Sequence, residues 1–179
     1  MTAENPYGFA PADDRPITYM DRISRYYQTL GYGKPYQWAH YLEAPFTAMT
    51  KPVSEARVAL VTTAAPYQPD AGDQGPWSAY NSKAKLYDVY SGDTGEDHDL
   101  RISHIGIDRK HTSQEDSNTW FPLPMLRRMA AEGYIGEVAP RFHGAPTNRS
   151  HRATIEVDAA EIVKRTIEDQ ADCAVLVAN

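Results

Sequence analysis

Two short, unbroken apolar runs, RVALVTT at 57–63 and CAVLV at 173–177, leave this chain few architectures. Each is too short for a core helix and lacks the alternation of a half-exposed strand, so each reads as a strand buried on both faces. Between them lies a third expected strand at 100–107, LRISHIGI, with His104 towards its carboxyl end, and a weaker one at 85–90, KLYDVY. Residues 134–139 read as extended, and the stretch PRFHGAPTNRSHR after them reads as a basic, turn-rich loop. Helices alternate with these runs. Residues 122–132 open on prolines and stop before Gly133, and AAEIVKRTIEDQ at 159–170 follows Asp158 as an expected cap. Strand, loop, helix and strand in turn predict an α/β fold, a three-layer, mostly parallel sheet of flavodoxin or Rossmann type. In such sheets ligands bind beyond the carboxyl ends of the strands. Thr62, Thr63, the stretch from His104 to Asp108 and Asn179 are therefore expected on one rim.

The first third of the chain has a different character. Residues 1–16 are proline-rich and aperiodic, whereas 17–30 place Tyr19, Ile23, Tyr26, Tyr27 and Leu30 at helical spacing with Gly31 as the stop. Residues 36–49 read as a second helix broken at Pro45. Residues 1–52 are accordingly expected to form an aromatic-rich arm with helices for docking or oligomerisation, and residues 53–179 the α/β domain, in what is a single domain overall. A net charge of −6 argues against a nucleic-acid groove. No basic, apolar leader opens the sequence, and no apolar run approaches the roughly 20 residues of a membrane helix, so a cytoplasmic, soluble protein is expected. Partners are expected to be a small molecule and other polypeptides, in a homo- or hetero-oligomer.

Candidate chemistry gathers on the loops. His104 and Asp108 can present an imidazole and a carboxylate on the rim, the imidazole as general acid or as the group that lowers a neighbouring thiol's pKa. Thr63, at the strand end, and Asn118, ahead of a helix, are candidates for substrate contact, although Asn before a helix also serves as a turn or cap. Arg141 and His143 lie in the basic stretch, where a substrate carboxylate would suit them. His98 and His111 flank His104 in polar loops, but the spacing fits no metal signature, and no metal or other cofactor is expected in the chain itself. Cys173 is the one cysteine, excluding an internal disulfide, and its place at the start of an apolar strand reads as core. Gly31 and Gly33 follow a helix, the wrong setting for a dinucleotide turn.

Five strings occur in order: YMDRISRYYQTLGYGKPYQWAHY, RVALVTT, DLRISHIGID, NTWFPLPMLRRMAAEGYIGEVAPRFHG and ADCAVLVAN. Together they resemble the selenoprotein B family of glycine, sarcosine and betaine reductases with its proline reductase relatives, especially short bacterial members. The resemblance runs from about Tyr19 to Asn179, and His104, Gly106 and Asp108 fit the family's His-x-Gly-x-Asp pattern. It implies reduction of a carbon–nitrogen bond by a selenocysteine or cysteine that follows the last strand. The loop after Thr63 departs from the pattern, with AAPYQP where the family commonly has glycines and a histidine. The sequence ends where the redox segment is expected. This leads to the expectation of a reductase component whose nucleophile comes from a following segment or a partner chain. A non-catalytic assembly subunit and a metal-assisted lyase or hydrolase built around His104 stand as alternatives.

Overall fold

The computed structural model describes residues 18–34, 40–102, 112–145 and 150–178. The chain divides into two compact units, Met1–Glu43 and Ala44–Asn179. In the first, helix α1 (Tyr19–Thr29) closes with a left-handed Gly31 at φ 86°. The Tyr32 amide donates to the Tyr27 carbonyl and the Gly31 amide to that of Gln28, and the Tyr27 and Tyr32 rings meet edge to face. This is a Schellman ending, in which glycine's missing Cβ permits the positive φ.

The second unit is built on β1 (Arg57–Thr62), the centre of a curled, mostly parallel sheet that forms a half-barrel. β7 (Cys173–Val177) runs parallel along one edge, from Val58 opposite Cys173 to Thr62 opposite Val177. Two short strands share the other edge: β5 (Glu137–Val138) beside the start of β1 and β6 (Arg141–Gly144) beside its end. Arg57 faces Glu137 but Val61 faces His143, so this edge takes six steps where β1 takes four. The surplus bulges at Ala139 and Pro140, whose carbonyls accept from the Thr94 hydroxyl and amide at 2.5 and 2.9 Å. β3 (Tyr90–Asp93) completes this flank, antiparallel to β6. A separate ribbon pairs β2 (Ala65–Pro66) with β4 (Leu100–Arg101).

Alternation gives the sheet two different faces. Val58, Leu60 and Phe142 point into the main core with Trp120, Phe121, Leu123 and Leu126, the last two from helix α2 (Leu123–Ala131). Arg141 and His143 point the other way, towards Asp169 at the end of helix α4 (Ala159–Glu168). α4 continues from the short α3 (His151–Ala153) through a π-helical segment, Thr154–Asp158. Gly144 is required where β6 meets β3, because a Cβ there would overlap the Tyr90 ring.

Several expectations need correction. The basic loop after residue 139 contains β6, and the strand expected at 85–90 begins only at Tyr90. No helix spans residues 40–50, among which Pro45 denies the backbone a donor. Asp158 is no cap: it has helical dihedrals inside the π segment, and the Ser150 hydroxyl caps the helix by accepting from the Ala153 amide. Only Leu100–Arg101 of the expected third strand is observed as strand, and it pairs antiparallel with β2. The rest of that run, with His104 and Asp108, lies in residues 103–111, outside the described residues, as does Asn179. β7 is a strand but not a buried one, since Ala174, Val175 and Leu176 are exposed. Among the described residues no helix is long and apolar enough to cross a membrane.

Candidate functional site

Backbone and side-chain bonds tie the carboxyl end of β1 to its surroundings. The Thr62 hydroxyl, fully buried, donates to the Trp120 carbonyl at 2.6 Å and accepts from the Ala64 amide. Thr63 donates its amide to Val177 at the end of β7, so the ends of β1 and β7 do share a rim. The Ala145 amide donates to Thr62, bringing in the end of β6. Tyr90 donates its phenol to the Ala64 carbonyl at 2.6 Å, and burial holds its pKa well above the ordinary range, so it is a neutral strut.

Beyond that rim a cavity of about 210 Å³ opens between the β2–β4 ribbon and the segment leading into α2. Its lining includes Gln74, Arg101, Ile102, Gln114, Ser117 and Trp120. The walls are braced from several directions. The Tyr67 amide donates to the Asp99 carbonyl, and the Gln74 side chain bonds the backbone of Gln68 and Gly72. Arg101 grips the Asp99 carboxylate through Nε and Nη2 and donates from Nη1 to the Gln74 carbonyl. This bidentate pairing keeps the Asp99 carboxyl below its usual range and so ionised. Trp120 donates its indole N–H to the Leu100 carbonyl at 3.2 Å.

The other candidate residues among those described fall in two places. Asn118 belongs to a one-turn 3-10 helix, Ser117–Thr119, beside the cavity wall. Its amide group donates to Asp116 and its carbonyl accepts from the Met125 amide, which is the fixing of a turn to the start of α2. Arg141 and His143 meet elsewhere, at Asp169. Arg141 bonds Asp169 at 2.8 Å and Glu168 at 3.2 Å, so its charge is answered within the chain. His143 has no exposed surface; its Nδ1 lies 2.9 Å from the Ser91 hydroxyl and its Nε2 3.2 Å from Asp169 Oδ2. The latter contact lacks the alignment of a hydrogen bond.

Arg165 can only donate, so Ser91 Oγ accepts from it at 2.9 Å. The Asp169 carboxylate beside Nε2 favours the tautomer that carries its proton there rather than a lone pair, which leaves Nδ1 to accept from the Ser91 hydroxyl. Burial lowers the imidazole's pKa; Asp169 opposes the shift, and Arg141 and Arg165 reinforce it. His143 is thus a neutral, enclosed ring with no path to a dissolved substrate in this conformation. Asp169, Ser91, Gln74 and Gln114 escaped sequence reading, since each acts through a partner remote in the chain.

Cys173 sits at the opposite end of the sheet from the rim. It pairs with Val58, four residues back from Thr62 opposite Val177, which is about 13 Å along a strand. Burial and the neighbouring Asp172 carboxylate both raise its thiol pKa. Among the described residues no three His, Cys, Asp or Glu side chains converge to hold a metal ion.

Comparison with known proteins bears on this arrangement. Residues 30–179 match the family model of glycine/sarcosine/betaine reductase selenoprotein B. A curated relative, glycine reductase complex component B subunit gamma of Peptoclostridium acidaminophilum, is 29% identical over 126 residues. That alignment covers 70% of this chain and 28% of the relative, so the chain spans well under half of the relative's length. No solved structure gave a significant match. With the family pattern matched across most of its length, this chain belongs to the glycine/sarcosine/betaine reductase selenoprotein B family.

Proposed function

We propose that this chain is a component of a glycine-reductase-like complex acting on a small amine or amino-acid-like substrate. In this reading it supplies scaffold and binding surface, and the nucleophilic cysteine or selenocysteine comes from a following segment or a partner chain. The observation that carries the reading is the position of Cys173. The chain's one thiol stands at the amino end of β7, about 13 Å from the rim, with its pKa raised, so it is poorly suited to be the family's nucleophile. His104 and Asp108 are assigned to the rim as acid–base groups for the incoming thiolate or selenolate, with Thr63 and Asn118 as binding residues. Arg141 and His143, given their partners, hold α4 to the sheet. Residues 1–52 are assigned to docking, and the sheet with helices on both faces is read as a three-layer domain.

The test is reconstitution. The purified chain, given glycine, sarcosine or betaine with a dithiol reductant, is expected to be inactive alone and active once combined with the other components of the relative's complex. Cys173→Ala is expected to leave the reconstituted rate within about twofold of wild type, because a residue that makes no contact with the reacting atoms contributes little to the barrier. Turnover by the isolated chain, or loss of the reconstituted rate in folded Cys173→Ala, would sink the proposal.

A further inference from the structure

β7 is the outermost strand on its side of the sheet, pairing with β1 and, among the described residues, with no other strand. The Thr63 amide bonds the Val177 carbonyl, so by the alternation of a strand Val175 and Cys173 also turn their backbone groups to β1. Ala174 and Leu176 turn theirs to the open edge. Edge strands in folded proteins carry lysine, proline or a bulge that blocks pairing with another chain. β7 has none of these: it reads CAVLV, and its register against β1 runs unbroken from Cys173 to Val177. Val61 faces both His143 and Leu176 across its two ladders, so Ala174 and Leu176 project from the face on which α4 lies. That part of the face is bare, with Leu176 75% exposed. Arg165 reaches Ser91 on β3, and Glu168 and Asp169 bond Arg141 on β6, which turns one flank of α4 towards β3. The opposite flank, on the β7 side, carries Ala159, Val163 and Thr166, with Ile167 next to Val163 one turn on; Val163 and Ile167 are exposed. Helical spacing puts Glu161, Lys164, Arg165 and Glu168 off that flank.

Exposed apolar side chains on strand and helix together, free of charge, have the composition of an interface core. A second copy of this chain fits that surface by symmetry. A twofold axis perpendicular to the sheet at Val175 sets β7 antiparallel to its copy and keeps the two α4 helices on one face. Ala174 then meets Leu176 of the second copy, a small side chain against a large one, with the amide and carbonyl of each residue paired. Asp172 falls opposite Ala178, so no like charges face each other along the strands. Pairing with a copy also consumes both open edges and closes, as twofold contacts do. We propose that this chain self-associates through the open edge of β7, joining two sheets into one with Leu176, Val163 and Ile167 at the seam. The inference goes beyond the reductase reading: it requires no nucleophile, and its surface is separate from residues 1–52.

Sedimentation velocity of the full chain over a range of concentrations tests it. A strand edge with one helix flank is at the small end of protein interfaces, so the pair is expected to form towards about 1 mM and to dissociate near about 1 µM. The lone chain is then the species that unfolds in dilute solution. Over that range the sedimenting mass is expected to rise from the 20.0 kDa of the chain towards twice that value. Leu176→Lys, which sets a charge at the seam, is expected to weaken association at least about tenfold. Leu42→Lys, at a residue 92% exposed in the other unit, is expected to leave it unchanged. Hydrogen exchange of the wild-type chain adds a reading free of any variant: the Ala174 and Leu176 amides are expected to exchange more slowly as concentration rises. A single 20.0 kDa species throughout overturns the proposal. So does association that Leu176→Lys leaves intact, and its loss in Leu42→Lys instead would move the contact to the aromatic arm. Should Leu176→Lys fail to fold, the two amides decide, and exchange independent of concentration overturns the proposal.

Discussion

β1 and β7 lie side by side in parallel register, yet β1 buries five of its six residues while β7 exposes Ala174, Val175 and Leu176. Both are runs of small and branched apolar residues, so composition does not separate them. Neighbours do. β1 is paired along both edges and its core-facing side chains meet Trp120, Phe121 and α2. β7 is paired along one edge among the described residues, and Val163 and Ile167 of α4 are likewise exposed. An apolar run commits a segment to strand, but which faces are covered depends on segments elsewhere in the chain.

The largest expected effect tests that contrast directly. Leu60 has no exposed surface, and Leu60→Ala removes its transfer energy and leaves a cavity, for an expected loss of about 2–5 kcal/mol. Leu176 is 75% exposed, and Leu176→Ala should stay within about 0.5 kcal/mol. Urea unfolding of the two variants measures both. Equal losses would break the contrast by showing that β7 is covered in solution.

The other flank of β1 gives a pH test. Buried His143 has a lowered pKa, so below its ordinary value the unfolded imidazole takes up a proton that the folded one refuses. Its neutral form supports folding fully above roughly pH 6.5. Stability is then lost as pH falls from there towards the lowered folded value, by at most about 1.4 kcal/mol per pH unit. Urea midpoints at several pH values from 7.5 down to 5.5 should fall with a steeper slope in wild type than in His143→Gln. Identical acid slopes would mean that His143 protonates freely and that this flank is not closed.

How much of this could be read from residues alone depended on the range of the forces involved. β1 and α2 were legible because their signals are local: an unbroken apolar run in one, prolines at the start and Gly133 at the end in the other. β6 was not, because Arg141 and His143 mimic a solvated loop until Asp169 and Ser91 are brought to them from 28 and 52 residues away. β3 was displaced for a related reason: Gly92 looks like a turn but provides room for the Phe142 ring. At the candidate site, Asn118 was legible as a turn residue, whereas Gln114 depends on the Trp77 amide 37 residues distant and carries no local signature. Family membership was legible because ordered strings survive even where single elements are misread.

The smallest effect concerns how β7 is launched. α2 and α4 end in the same Schellman geometry, but the left-handed position is Gly133 at φ 79° in one and Gln170 at φ 56° in the other. Left-handed backbone costs a residue with a Cβ about 1 kcal/mol, which glycine escapes. Gln170 regains part of this through a 3.3 Å bond from Arg57, and glycine adds entropy to the unfolded chain, so Gln170→Gly should gain no more than about 0.5 kcal/mol. Gln170→Ala keeps the strain and loses the bond, so it should fall below wild type. Thermal unfolding that ranks glycine above glutamine and glutamine above alanine would show that backbone geometry at the turn sets β7 on its path, with little help from cover over its faces. Glutamine ranking above glycine would instead assign that task to the side-chain bond with Arg57.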